Sequence, residues 1–121
     1  MTELRICSRD EIPDGGVRIV EVDNLEIGVI RQAGSFYAYR NLCPHQGGPA
    51  CEGVRMAGVF DDVDAEGNFH GQKFDEAEMH IVCPWHGYEY RLEDGVNVCD
   101  HKLKLRKFDV TERDGDVFLT L

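Results

Sequence analysis

With 121 residues, 30% of them charged, and a formal net charge of −10, the chain has the size of one domain and leaves no room for a second, catalytic one. Its hydrophobic content of 42% is that of a folded globular protein, and no apolar run approaches the roughly 18 residues of a membrane span. The acidic balance excludes nucleic acid as an expected partner, because phosphate backbones are bound through Lys and Arg, and favours a basic protein surface instead.

The N-terminal stretch up to Gly15 carries acids and lacks an apolar core, so no secretory signal is read there and a cytoplasmic location is expected. Short apolar or alternating runs follow one another along the chain, broken by Gly, Asp and Asn. They predict strands at Leu4–Cys7, Val17–Val22, Ile27–Gln32, Phe36–Arg40, His80–Val82, Tyr88–Leu92, Lys104–Val110 and Val117–Leu121. Turn chemistry stands between them at Asp14-Gly15-Gly16, Asp23-Asn24, Ala33-Gly34, Asp94-Gly95 and Asp114-Gly115. Strands at this spacing without intervening helical patterns predict an all-β fold, a small antiparallel β-sandwich or barrel. In the run from His101 to Lys107, Leu103 and Leu105 are expected to point inward and Lys102, Lys104 and Arg106 outward, an amphipathic face rather than a basic binding patch.

One stretch breaks the rhythm. Between Val54 and Met79 stand Asp61, Asp62, Asp64, Glu66, Asp75, Glu76 and Glu78 against Arg55 and Lys73, with glycines at 58, 67 and 71. It is read as an acidic insertion at about 54–79 in a single domain spanning 1–121, a long surface loop with room for a short hairpin.

Five cysteines, at 7, 43, 51, 83 and 99, are an odd number, which a closed secreted disulfide framework would not leave. Two of them belong to matched segments, Cys43-Pro44-His45-Gln46-Gly47-Gly48-Pro49 and Cys83-Pro84-Trp85-His86-Gly87. Each offers one thiolate and one imidazole at a loop stiffened by Pro and opened by Gly. These donor types suit zinc and iron-sulfur centres alike, although structural zinc sites more often segregate their cysteines from their histidines.

The sequence Cys-x-His followed by Cys-x-x-His resembles the Rieske iron-sulfur family, in which one iron takes two Cys and the other two His. The likeness extends to Phe36-Tyr37-Ala38-Tyr39-Arg40-Asn41 before the first loop, to Cys83-Pro-Trp-His-Gly-Tyr-Glu-Tyr, to Leu92-Glu93-Asp94-Gly95, and to the closing strand pair around Asp114-Gly115. It implies a Rieske-type sandwich with a cluster-binding subdomain of two loops. It also implies one [2Fe-2S] cluster per chain, Cys43 and Cys83 on the inner iron, and His45 and His86 on the outer iron through which electrons pass. The implied function is that of a ferredoxin of the oxygenase-associated type, without catalytic residues of its own. Such a protein carries single electrons from a flavin-containing reductase to a terminal oxygenase or other redox protein. The alternative is a tightly bound Rieske subunit or regulatory module of a larger oxidoreductase.

The departures from the family pattern are informative too. Respiratory members carry an additional cysteine in each loop, where this chain has Gly48 and Trp85, and a serine where it has Tyr88. The missing cysteines disfavour a respiratory-type protein, and Tyr88 in place of the serine implies one hydrogen bond fewer and a potential below that type. Cys7, Cys51 and Cys99 are read as packing residues, and His70 and His80 as surface or strand residues.

Overall fold

The computed structural model describes residues 3–44, 47–53, 55–84 and 88–121, with the backbone path alone for 58–62 and 73–77. Nine strands are seen among them: β1 Glu3–Ser8, β2 Val17–Val22, β3 Leu25–Gln32, β4 Ser35–Arg40, β5 Arg55–Val63, β6 Phe69–Val82, β7 Glu89–Arg91, β8 Lys107–Arg113 and β9 Asp116–Thr120. The only described helices are single 3-10 turns at Arg9–Glu11 and Ala50–Glu52. The strands form an antiparallel six-stranded sheet in the order β1-β9-β8-β4-β3-β2 and a three-stranded sheet β5-β6-β7. The all-β expectation therefore holds.

Local chemistry explains the hairpins. Asp23-Asn24, Ala33-Gly34 and Asp114-Gly115 all take positive φ at both positions. That is the backbone of a type I′ turn, whose twist matches that of the strands it joins. The β2–β3–β4 register follows, from Val17↔Ile30 to Val22↔Leu25 and from Ile27↔Arg40 to Gln32↔Ser35.

Alternation along β3 and β4 then divides the interior in two. Ile27, Val29 and Ala38 join Cys7, Ile12, Phe108, Val117 and Leu119 on one face. Ile30 and Tyr39 point the other way, into a cluster with Cys43, Cys51, Ile81, Cys83, Tyr90 and Leu105. These two strands thus wall off one core from the other, which is why four consecutive residues of β3, Ile27–Ile30, are buried.

The predicted strand Lys104–Val110 is displaced to β8 without changing length, and Tyr88–Leu92 shortens to β7. The run Lys104–Val110 pairs as a strand only from Lys107, because the chain before it is spent on Gly95: Leu105 N–H donates to the Gly95 carbonyl at 2.8 Å and Lys104 makes only an isolated bridge to Val96. Leu105 is nonetheless buried, Leu103 half-buried, and Lys102, Lys104 and Arg106 exposed. Tyr88–Leu92 contracts to Glu89–Arg91 because the Arg91 carbonyl already accepts from Gly95 N–H at 2.7 Å, closing the next turn.

The stretch read as a long acidic loop with room for a short hairpin is mostly paired strand, so the hairpin takes up most of it. β5 and β6 match Arg55↔Ile81, Met56↔His80 and Ala57↔Met79, then jump to Gly58↔Asp75 and run on to Val63↔Phe69. The jump leaves Glu76–Glu78 unmatched, a bulge that separates the outer hairpin from the body of the sheet. Val54, where the insertion was taken to begin, lies outside the described residues. Charge did not prevent pairing because a hairpin satisfies its backbone internally, and the tip has its own turn chemistry: Asp64 Oδ1 accepts from the Glu66 and Asn68 amides at 3.0 and 2.8 Å.

Candidate metal centre

The first cysteine loop leaves β4 at Arg40 and is pinned immediately by Asn41. This buried side chain donates to Glu26 Oε1 at 3.0 Å and Glu52 Oε2 at 2.9 Å, and its Oδ1 accepts from Cys51 N–H at 2.8 Å. One amide thus fixes both ends of the loop to β3. Within it, Cys43 N–H donates to the Gly48 carbonyl at 2.7 Å, and Gly47 N–H returns to the Cys43 carbonyl at 2.8 Å. Gly47 has φ +76, a conformation that a side chain would strain.

The second loop leaves β6 at Val82 and repeats the closure. Cys83 N–H donates to the Tyr88 carbonyl at 2.8 Å. In both loops, therefore, the cysteine amide bonds the carbonyl five residues on. His45 and His86 fall inside these two spans in sequence but outside the described residues, as does Trp85.

The loops meet at their bases. Gly53, just past the first loop, lies so close to the root of the second that a Cβ on it would come within 1.6 Å of the Val82 carbonyl oxygen. Cys43 and Cys83 share one core, 2% and 0% exposed, with Ala50, Ile81 and Tyr90.

Tyr90 was not singled out from the sequence, and it touches the site directly. Its hydroxyl is 3.0 Å from Cys43 Sγ. Burial first, and then the bond to Cys43, push its pKa upward, so the phenol keeps its proton. The available signal was period two: Tyr90 follows Tyr88 on the same face of a strand leaving the loop.

The remaining candidates separate cleanly. Cys51 is fully buried with Sγ 3.5 Å from the Tyr39 carbonyl oxygen, and burial pushes its thiol up to about 12. A group so reluctant to ionise is a packing thiol, set against Gly28 of β3. Cys7 packs in the other core, whereas Cys99, read as a packing residue, is exposed instead; like Cys7 and Cys51 it is without a disulfide. His80 is buried with both ring nitrogens taken, Nε2 by Glu78 at 2.9 Å and Nδ1 by Glu89 at 3.1 Å. His70 is exposed and faces Asp64 at 2.7 Å.

What the described residues offer is two deeply buried thiols in one apolar pocket, one of them beside a tyrosine hydroxyl, on loops of matched closure. Among the described residues no three His, Cys, Asp or Glu side chains converge as a metal site. Thiolates sheltered from water and supported by a hydrogen-bond donor fit an iron-sulfur centre, whose sulfur ligands are tuned by such bonds.

Comparison with known proteins agrees with this chemistry. The profile of the Rieske [2Fe-2S] domain matches residues 2–109. The chain is 25% identical over 122 aligned residues to the 3-phenylpropionate/cinnamic acid dioxygenase ferredoxin subunit of Photorhabdus laumondii, covering 100% of this chain and 96% of that one. The ferredoxin of carbazole 1,9a-dioxygenase from Nocardioides aromaticivorans superposes with a TM-score of 0.71 at 24% identity, over 99% and 98% of the two chains. A solved protein named as the small subunit of an NADPH nitrite reductase gives a TM-score of 0.74 at 18% identity over 100% of each chain. At these identities the two structural likenesses speak to the fold.

Proposed function

The chain belongs to the Rieske [2Fe-2S] domain family, and from that premise we propose that it is a one-electron carrier whose cluster is held by Cys43, His45, Cys83 and His86. The observation that supports this most is the matched closure of the two cysteine loops, with both thiols in one water-excluding core. When bound, a [2Fe-2S] cluster supplies a single-electron couple. The chain's own residues do the rest. Burial of Cys43 and Cys83 keeps water from the sulfurs, and the Tyr90 hydroxyl, 3.0 Å from Cys43 Sγ, would be the donor to it once Cys43 is a metal-bound thiolate, easing its negative charge. Two neutral imidazoles in place of two thiolates remove negative charge from the other end of the site, which favours taking up an electron there.

No catalytic residue is assigned. As electron donor and acceptor we propose a flavin-containing reductase and a terminal oxygenase, by analogy with the relative named as a ferredoxin subunit of a dioxygenase. The net charge of −10 suits weak, electrostatically steered docking to basic faces. The proposal treats residues 1–121 as one domain with the 54–79 segment as an insertion, working in the cytoplasm. No described helix is long and apolar enough to cross a membrane.

The likeness to a nitrite reductase small subunit favours one second reading, a subunit held permanently by a larger oxidoreductase. Co-purification at fixed stoichiometry from native cells would support it over a free shuttle.

The ligand assignment is tested by His86→Cys. An anionic ligand there opposes the incoming electron, so the reduction potential falls; an unchanged or raised potential contradicts the role given to His86.

A further inference from the structure

Val63 and Phe69 stand opposite each other at the outer end of the β5–β6 hairpin. At 53% and 63% exposed, they are the most exposed large hydrophobic side chains among the described residues. The turn between them is built without them. Asp64 Oδ1 accepts from the Glu66 and Asn68 amides, Gly67 N–H donates to the Asp64 carbonyl at 3.0 Å, and Asp64 N–H donates to the Asn68 carbonyl at 3.0 Å. No described strand flanks them either. β5 pairs only with β6, and β6 meets β7 only at His80–Val82, so this end is a two-stranded ribbon with both edges unpaired among the described strands. A phenyl ring and an isopropyl group side by side in water on such a ribbon serve neither the turn nor the core.

Charge decides what fits over them. Between Val54 and Met79 seven acids stand against Arg55 and Lys73, half of the chain's net −10. At the tip itself Glu66 is exposed. A second copy of the chain would bring two such hairpins together, and a phospholipid surface is itself anionic, so both are opposed by like charge. A protein that presents Lys and Arg around an apolar socket gains from both features at once.

Placement decides what the contact does. β6 runs from Phe69 to Val82, and at about 3.3 Å per residue the tip lies roughly 40 Å along the strand from the root of the second cysteine loop. A partner seated on the tip is held there without touching the cysteines. We propose that Val63 and Phe69, on the acidic outer hairpin, form an anchoring surface for the basic face of a redox partner, separate from the loops that pass the electron. The proposal rests on the electron-carrier reading above and adds to it a second point of attachment, which raises the concentration of the cluster at its partner.

The test uses the full chain in its native cells, with the photo-cross-linking residue p-benzoylphenylalanine placed at position 69 or, as a control, at the exposed Asp109 of β8. Position 69 captures a protein that position 109 does not. Once purified, that protein exchanges electrons with the cluster-loaded native chain, as read by the change in its visible absorbance. In that exchange Val63→Ser combined with Phe69→Ser raises KM about tenfold and leaves kcat unchanged, the signature of lost binding away from the chemistry. Glu66→Lys raises KM about threefold, as added salt does, and serves alone if the double variant loses its cluster.

Capture of a second copy of this chain, or of phospholipid, at position 69 overturns the proposal in favour of that occupant. It is overturned equally by no capture, by the same capture at both positions, or by a captured protein that exchanges no electron. Variants that leave KM unchanged, or that lower kcat instead, overturn it as well. With the native protein loaded with iron, each of these outcomes sinks the inference alone. A native protein that loads no iron overturns the cluster reading and this inference together.

Discussion

The two ends of β6 lead opposite lives. At its C-terminal end Ile81 is fully buried, His80 is clasped by two glutamates, and the strand pairs on both sides before delivering Cys83 to the core. At its N-terminal end Phe69 is 63% exposed and pairs only with Val63, itself 53% exposed, across a turn ordered by Asp64. The bulge between Ala57 and Gly58 marks where one regime yields to the other. One continuous strand can therefore be core scaffold and solvent-borne hairpin in turn. Backbone pairing carries it through the change, and side-chain burial decides which part holds up the site.

The contrast should break most dramatically at Gly53, where the two loop bases touch. Gly53→Ala places a methyl within 1.6 Å of a backbone oxygen, and neither side is a flexible side chain. The expected loss of stability exceeds the about 1–3 kcal/mol of ordinary overpacking, with little cluster uptake. Denaturant melts and iron content per chain measure both, and a fully loaded, stable variant would show that the bases are not locked together.

Ile81→Ala and Phe69→Ala sharpen the comparison along the strand itself. The first opens a cavity in the shared core and should cost about 3 kcal/mol, whereas the second removes exposed surface and should stay within about 0.5 kcal/mol. Equal costs in urea unfolding would mean that the hairpin is part of the core after all.

How much of this was legible in advance follows the range of the forces involved. β2, β4 and β9 could be read almost to the residue because alternation and type I′ pairs such as Asp23-Asn24 and Asp114-Gly115 are local. The cysteine loops were legible because Cys43 and Cys83 each carry a His, a Pro and a Gly at fixed spacing. The full extent of the β5–β6 hairpin was not, beyond room for a short one, since acids and glycines conceal a pairing that needs only the backbone and one well-placed aspartate. Gly53 and Asn41 were missed for a different reason. Their roles exist only once β3 and β6 have been brought against the first cysteine loop, and nothing in their immediate neighbours announces it.

A smaller effect is expected from removing the outer hairpin. Replacing residues 58–78 by Asn-Gly joins the paired residues Ala57 and Met79 through a type I′ turn. The visible spectrum should survive, and electron transfer with a redox partner should slow as the acidic segment is lost. Collapse of cluster loading would instead make the hairpin structural.

The smallest effect is local and pH-dependent. The hydrogen bond from His70, followed by the Asn68 amide, holds the Asp64 carboxyl below the usual aspartate value of 3.8. A depressed folded pKa contributes order that is present above 3.8 and lost as pH falls through the lower folded value. Amide shifts of Glu66 and Asn68 should therefore hold steady from neutrality down to that range and move together below it. Movement at mildly acidic pH would point to another group.

The most direct test of the central claim is to analyse the purified native protein for metal and sulfide and to record pulsed EPR after reduction. The account predicts a coloured protein with two irons and two sulfides per chain, as the family cluster requires, and nitrogen couplings from two imidazoles assignable to His45 and His86. A colourless protein carrying zinc, or an iron-sulfur signal without histidine nitrogen, would contradict it.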